Sequence, residues 1–234
     1  MRIRLPLGRW LFLFVAFLVM LLLTVPLRIA LDKLGFDERG LGARSITGTL
    51  WSGTLTEARL RSVALGDLDA GLSILPLFIG QARMSLETPA WSGTLVQSGN
   101  SGGVSNLNGK LGPEALASGL PVNAVEFEGV NVTFRDGVCA EAAGTLRIEP
   151  RATNPAVARL GQLAGPLRCD GDAVLAPLVS GSGQERIDFR VFGDGRYRLS
   201  LMVPPGDPAT TAALTAAGFA ATADGLTMTS EGSF

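Results

Sequence analysis

Between Arg9 and Arg28 the chain runs for 18 residues, WLFLFVAFLVMLLLTVPL, without a single charge. As a helix rising about 1.5 Å per residue, it would extend about 27 Å, close to the ~30 Å hydrocarbon core of a bilayer. Such a run has no polar stripe to turn toward water, so a core helix of a soluble protein is a poor fit. A cleaved signal peptide is the main alternative. Its apolar region spans about 7–15 residues and ends at a small-residue cleavage site, whereas Arg28-Ile29-Ala30-Leu31-Asp32 follows here. The run therefore predicts an uncleaved, single-pass transmembrane helix over residues 10–27. A short tail, residues 1–9, precedes it, and a domain of residues 28–234 follows.

Orientation is nearly a tie by charge. Arg2, Arg4 and Arg9 precede the run; Arg28, Lys33, Arg39 and Arg44 follow it. Long domains cross membranes largely regardless of charge, and two cysteines suit an oxidising compartment. Both favour a cytoplasmic tail and a translocated domain. Cys139 and Cys169 allow a single intramolecular pairing, expected as a disulfide if the domain is translocated; two buried free thiols are the alternative.

Beyond Arg28 the chain has a net charge of −5 and no basic footprint for nucleic acid. It contains no histidine, which removes the commonest general base and metal ligand. Ser-His-Asp, Cys-His and histidine-zinc chemistry are thus excluded within the chain. Glu126 and Glu128 alternate with apolar residues, as on the solvated face of a strand. Neither lysine sits in a Ser-x-x-Lys motif. The reading is of a non-enzyme with no catalytic, cofactor or metal site.

Period-two alternation dominates the domain, which makes it mainly β: antiparallel, curved sheet with a few short peripheral helices. Val125 to Phe134 alternates but slips phase at Gly129, as at a β-bulge. Ile187–Val191 and Tyr197–Val203 flank Gly193-Asp194-Gly195 as a hairpin. Asp207-Pro208 starts a helix that Gly218 stops; Asn154-Pro155 starts another, through about Ala164; Pro113–Leu116 suggests a single turn. The segment 97–109, QSGNSGGVSNLNG, reads as a flexible loop and a sub-boundary between halves.

Trp51-Ser52-Gly53-Thr54-Leu55 recurs as Trp91-Ser92-Gly93-Thr94-Leu95. Each copy suits a strand whose ring packs where a neighbouring chain crosses close to the glycine; docking a partner through the tryptophans is the alternative. Leu72 to Ile79, which includes Leu75 and Phe78, is too short to span a membrane. It fits a buried strand end or an apolar lip facing lipid or a partner.

Four pieces in order resemble the type II secretion system protein N family. They are the N-terminal anchor, Gly48-Thr49-Leu50-Trp51-Ser52-Gly53, the Cys139–Leu146 stretch with Cys169, and the ending of Tyr197–Val203, Pro204-Pro205, an alanine-rich helix and a final glycine-containing strand. The resemblance implies a cell inner membrane protein whose domain lies in the periplasm. It implies an accessory subunit that acts through other subunits of the secretion apparatus in exporting folded proteins, without enzymatic activity. A periplasmic lipid- or hydrophobe-binding module of the envelope is the alternative, since a curved sheet with one apolar face can hold acyl chains.

Overall fold

In the computed structural model, residues 7–29, 41–60, 63–113, 115, 122–151, 161–204, 206–216, 218–223 and 225–233 are described. They comprise an N-terminal helix, α1 (Leu7–Leu23), and one antiparallel sheet of 16 strands. The strands are β1 (Leu41–Gly42), β2 (Ser45–Thr49), β3 (Ser52–Leu60), β4 (Val63–Leu72), β5 (Gln81–Glu87), β6 (Trp91–Ser98), β7 (Ser101–Leu111), β8 (Val122–Arg135), β9 (Val138–Pro150), β10 (Leu163–Pro166), β11 (Arg168–Asp170), β12 (Ala173–Ser180), β13 (Arg186–Phe192), β14 (Arg196–Val203), β15 (Ala220–Thr222) and β16 (Gly225–Ser233). From β3 to β14 the sheet follows chain order, with β10 and β11 in tandem against β12. The far end is β14, β16, then β15; β1 and β2 share the edge of β3. A short helix, α2 (Ile74–Leu77), joins β4 to β5, and α3 (Pro208–Ala216) joins β14 to β15.

The expected helix over 10–27 is corrected at both length and end. It stops at Leu23. The Thr24 hydroxyl donates back to the carbonyls of Met20 (2.9 Å) and Leu21 (3.2 Å), and Pro26 brings neither an N–H nor a preceding α conformation. Pro26 forms a β-bridge to Thr49, and Leu27, at 1% exposure, is in the domain core. The uncharged helical part, 10–23, thus rises only about 21 Å. No helix among the described residues is both long and apolar enough to cross a membrane.

Register divides the sheet into two unlike faces. One carries Leu55 opposite Leu68, Ala70 opposite Leu86, and the row Leu72, Met84, Leu95, Val104, Val132. Toward the C-terminus it continues as Leu178, Ile187, Leu201 and Met228. The other carries Thr54, Asp69, Glu87, Ser92 and Asn108 in one row. The apolar face holds two buried clusters. The larger centres on Leu163, Leu178 and Leu226; the smaller joins Leu27 to Leu55, Ala58, Leu68 and Ala70.

Helix α3 closes the larger cluster, and its ends follow from its sequence. The Asp207 carboxylate accepts the Ala209 N–H (3.0 Å), with Pro208 at the first helical position. At the other end Gly218 has φ +97°; its N–H reaches the Thr215 carbonyl and that of Phe219 the Leu214 carbonyl. That pair of bonds is a Schellman cap, and it folds Phe219 onto Leu214 in the core.

Bulges bend the sheet where the phase slip predicts one. Register shifts between Glu128 and Asn131, and between Val104 and Leu107. Bulges strand backbone donors, and asparagines recover them. Asn131 Oδ1 accepts the Asn106 N–H (2.9 Å) and Asn108 Oδ1 the Gly129 N–H (2.7 Å). The β3–β4 bulge uses the same device, with Asp67 accepting the Glu57 N–H (3.0 Å).

Two expectations are revised. Residues 97–109 are not a loop; apart from the Gly99-Asn100 turn they belong to β6 and β7, paired in register from Ser98–Ser101 to Thr94–Ser105 and again, past a bulge, at Ser92–Asn108 and Trp91–Gly109. The helix expected from Asn154 cannot reach Ala164, because Leu163–Pro166 is β10. Its earlier part, Glu114 and Leu116 lie outside the described residues; Pro113 and Ala115 are in a turn, where the Ala115 N–H donates to the Gly112 carbonyl (3.1 Å).

Candidate functional site

Two features stand out: the joint between α1 and the sheet, and an exposed apolar loop beside it. The joint is built from the tryptophan motif. Gly48, at φ +87°, lets the chain into the tight Leu50-Trp51 turn between β2 and β3. That turn meets the end of α1. The last carbonyls of a helix have no partner within it, and here the Trp51 indole N–H donates to the Leu22 carbonyl (2.8 Å). The Leu50 N–H donates to the Val25 carbonyl (2.9 Å) and the Leu72 N–H to the Leu50 carbonyl (3.0 Å). A Cβ on Gly53 would stand 2.6 Å from Leu27 Cδ2, so the glycine leaves the space that the leucine fills.

The second copy of the motif shares with the first only the contact between its glycine and a leucine. Trp91 opens β6, is half-buried and packs against the Leu27 cluster. A Cβ on Gly93 would stand 3.1 Å from Leu107 Cδ1. In both copies a glycine in the strand seats a leucine from a neighbouring segment. Trp51 is half-buried and engaged with the helix end.

Leu75 and Phe78 occupy the other feature. They stand 81% and 82% exposed on the β4–β5 connection, with Ile79 at 73%. The loop is short and turned tightly, Phe78, Ile79 and Gly80 donating to the carbonyls of Leu75, Pro76 and Leu77. In α1, the large side chains from Trp10 to Leu23 are 46–72% exposed. The helix therefore projects from the sheet and is not packed along it.

Cys139, at the start of β9, and Cys169, in β11, are joined by a disulfide with Cα atoms 5.6 Å apart. It ties β9 to β11 past the point where β10 leaves the sheet. The Cys139 N–H donates to the Asp172 carbonyl across the same gap.

An open recess of about 310 Å³ is lined by Thr54, Asp67, Asp69, Glu87, Thr88 and Pro89. Its aspartates are occupied: Asp69 accepts from Thr54 (2.8 Å) and Asp67 from the bulge N–H. Among the described residues no group of three or more His, Cys, Asp or Glu could hold a metal ion. Glu126 and Glu128 both lie within 4 Å of Arg147 across the polar face (3.9 and 2.8 Å). At the β12–β13 turn, the Glu185 carboxylate accepts the Ser180 and Ser182 hydroxyls. Burial pushes its pKa up, but the two hydroxyls together with its own backbone N–H outweigh that and hold it below the ordinary 4.5.

Sequence reasoning did not find Leu27 or the Leu22 carbonyl as parts of the joint. The signal was Pro26, which cannot sit inside the last turn of a straight helix without breaking its bonding. The Ser180–Glu185 staple had no signal beyond turn-forming residues.

Comparison with known proteins gives one consistent result. The family model for type II secretion system protein N matches residues 39–229, which span nearly the whole sheet. A type II secretion system protein N of Vibrio cholerae is 24% identical over 200 residues, covering 77% of this chain and 79% of that protein. No solved structure matches.

Proposed function

Because the chain belongs to the type II secretion system protein N family, we propose that it is an accessory subunit of that machine. It is anchored by α1 in the cell inner membrane, with the sheet in the periplasm. It contributes to export of folded proteins by contact with other subunits, not by catalysis. The observation that carries this reading is the family match over residues 39–229. Anchoring is supported by the projecting apolar helix and the periplasmic side by the Cys139–Cys169 bridge. For partners the sheet offers a strand edge: on the side away from β14, β16 pairs with β15 only through Gly225–Thr227. Pairing of a partner strand there would be β-augmentation.

The test is secretion by cells lacking this chain. Folded substrate should accumulate in the periplasm, and the full chain should restore export while a chain without residues 1–23 should not. Unchanged export in the deletion strain would remove the proposed role.

A second reading, acyl-chain binding, is favoured by one observation. Leu72, Met84, Leu95, Val104 and Val132 form a continuous apolar row that belongs to neither buried cluster. Near-stoichiometric lipid co-purifying with the sheet would support it; an empty sheet would remove it.

A further inference from the structure

We propose that the Ile74–Ile79 loop is a second membrane contact, inserted into the same lipid surface that holds α1. The inference rests on the anchoring reading above. Its first observation is position. The Trp51 indole meets the last turn of α1, and Leu50, next to it, accepts from Leu72 at the end of β4. Ile74 begins the loop two residues later. Two backbone hydrogen bonds, Leu50 to Val25 and Leu72 to Leu50, thus put Val25, two residues past the helix end, and Leu72, two residues before the loop, about two strand spacings, ~10 Å, apart. Both sit on one rim of the sheet, from which α1 projects.

The second observation is the loop itself. Leu75, Phe78 and Ile79 expose more than 70% of their surface side by side, a cluster that water disfavours. The N–H groups of Phe78, Ile79 and Gly80 are bonded within the turn, and Pro76 has none, so this part of the loop can enter lipid with few bare N–H groups. The third is charge. From Leu72 to Ser85 the chain has no acidic residue, and Arg83 stands at the loop's exit, its guanidinium donating to Gln81 (3.3 Å). A cation beside apolar side chains matches an anionic lipid interface. A tip and a helix entering one surface fix the tilt of the sheet, which a single helix alone leaves free.

The experiment uses the full chain in vesicles of phosphatidylethanolamine and phosphatidylglycerol that carry a nitroxide high on the acyl chain. The native cysteines are bonded to each other, so a single added cysteine takes a bimane label. Three variants are compared: Leu18→Cys in α1, Phe78→Cys in the loop and Gln184→Cys on the opposite rim. Strong quenching at 18 and 78, with 184 left bright, is the expected result. Quenching at 18 with 78 as bright as 184 overturns the inference and leaves the anchoring intact. A bright label at 18 overturns the anchoring reading, and the inference falls with it.

Discussion

Leu27 Cδ2 stands 2.6 Å from where a Cβ on Gly53 would be, and the carbonyls of Thr47 and Thr49 are within 3.0 Å of the same point. Backbone cannot yield as a side-chain tip can. Gly53→Ala should therefore cost about 1–3 kcal/mol, the usual range for overpacking. For Gly93→Ala the nearest atom is the Leu107 side-chain tip, at 3.1 Å, with that residue's backbone at 3.5 Å, and the change should cost less. Urea unfolding of both variants, followed by near-ultraviolet circular dichroism, gives the order. Equal midpoints would mean that the Leu27 contact is looser than described.

The indole of Trp51 acts through one hydrogen bond as well as through its bulk. Trp51→Phe keeps most of the bulk and loses the bond to Leu22, for an expected loss of about 1 kcal/mol. Leu27→Ala removes a fully buried side chain and should cost about 2–5 kcal/mol. A Leu27→Ala chain as stable as the parent would show that the joint does not belong to the sheet's core.

Reducing the Cys139–Cys169 bridge frees a loop with a sequence separation of 30. Chain entropy puts its contribution at about 3–4 kcal/mol. Unreduced protein taken from the periplasm should carry no alkylatable thiol, and added reductant should lower the thermal midpoint. Two reactive thiols in that material would contradict both the bridge and the compartment.

Glu185 sets a pH dependence with a definite sign. Its folded pKa lies below the ordinary 4.5, so its contribution to stability is present above that value. It is lost as pH falls through the folded pKa. The thermal midpoint should decline on acidification in this window, and Glu185→Gln should flatten that part of the decline. A variant with the parent's profile would show that Ser180 and Ser182 do not hold the carboxylate.

Much of the sheet is legible in the sequence because its period-two pattern is regular. The Gly129 phase slip, the Gly193–Gly195 turn and the Asp207-Pro208 helix start each follow from local chemistry. The segment 97–109 misleads because glycine and serine are read as loop-formers. Paired between β6 and β8 they fit well, and a Cβ on Gly103 would stand 2.0 Å from the Val132 carbonyl. The joint is less legible for a different reason. Hydropathy does not distinguish an apolar residue in lipid from one in a core, so Leu27 is read as the last residue of the run. Only Pro26 marks the change, and what Trp51 donates to depends on a contact 29 residues away. The exposed loop poses the same ambiguity, because burial, not sequence, separates Leu75 and Phe78 from Leu68.

The most direct test of the account is the side of the membrane on which the sheet lies. Alkaline phosphatase and green fluorescent protein, fused in turn after Phe234, report the periplasm and the cytoplasm respectively. The account predicts an active phosphatase and a dark fluorescent fusion, both retained in the inner-membrane fraction. A fluorescent fusion with inactive phosphatase, or a phosphatase fusion released as a soluble periplasmic protein, would contradict it.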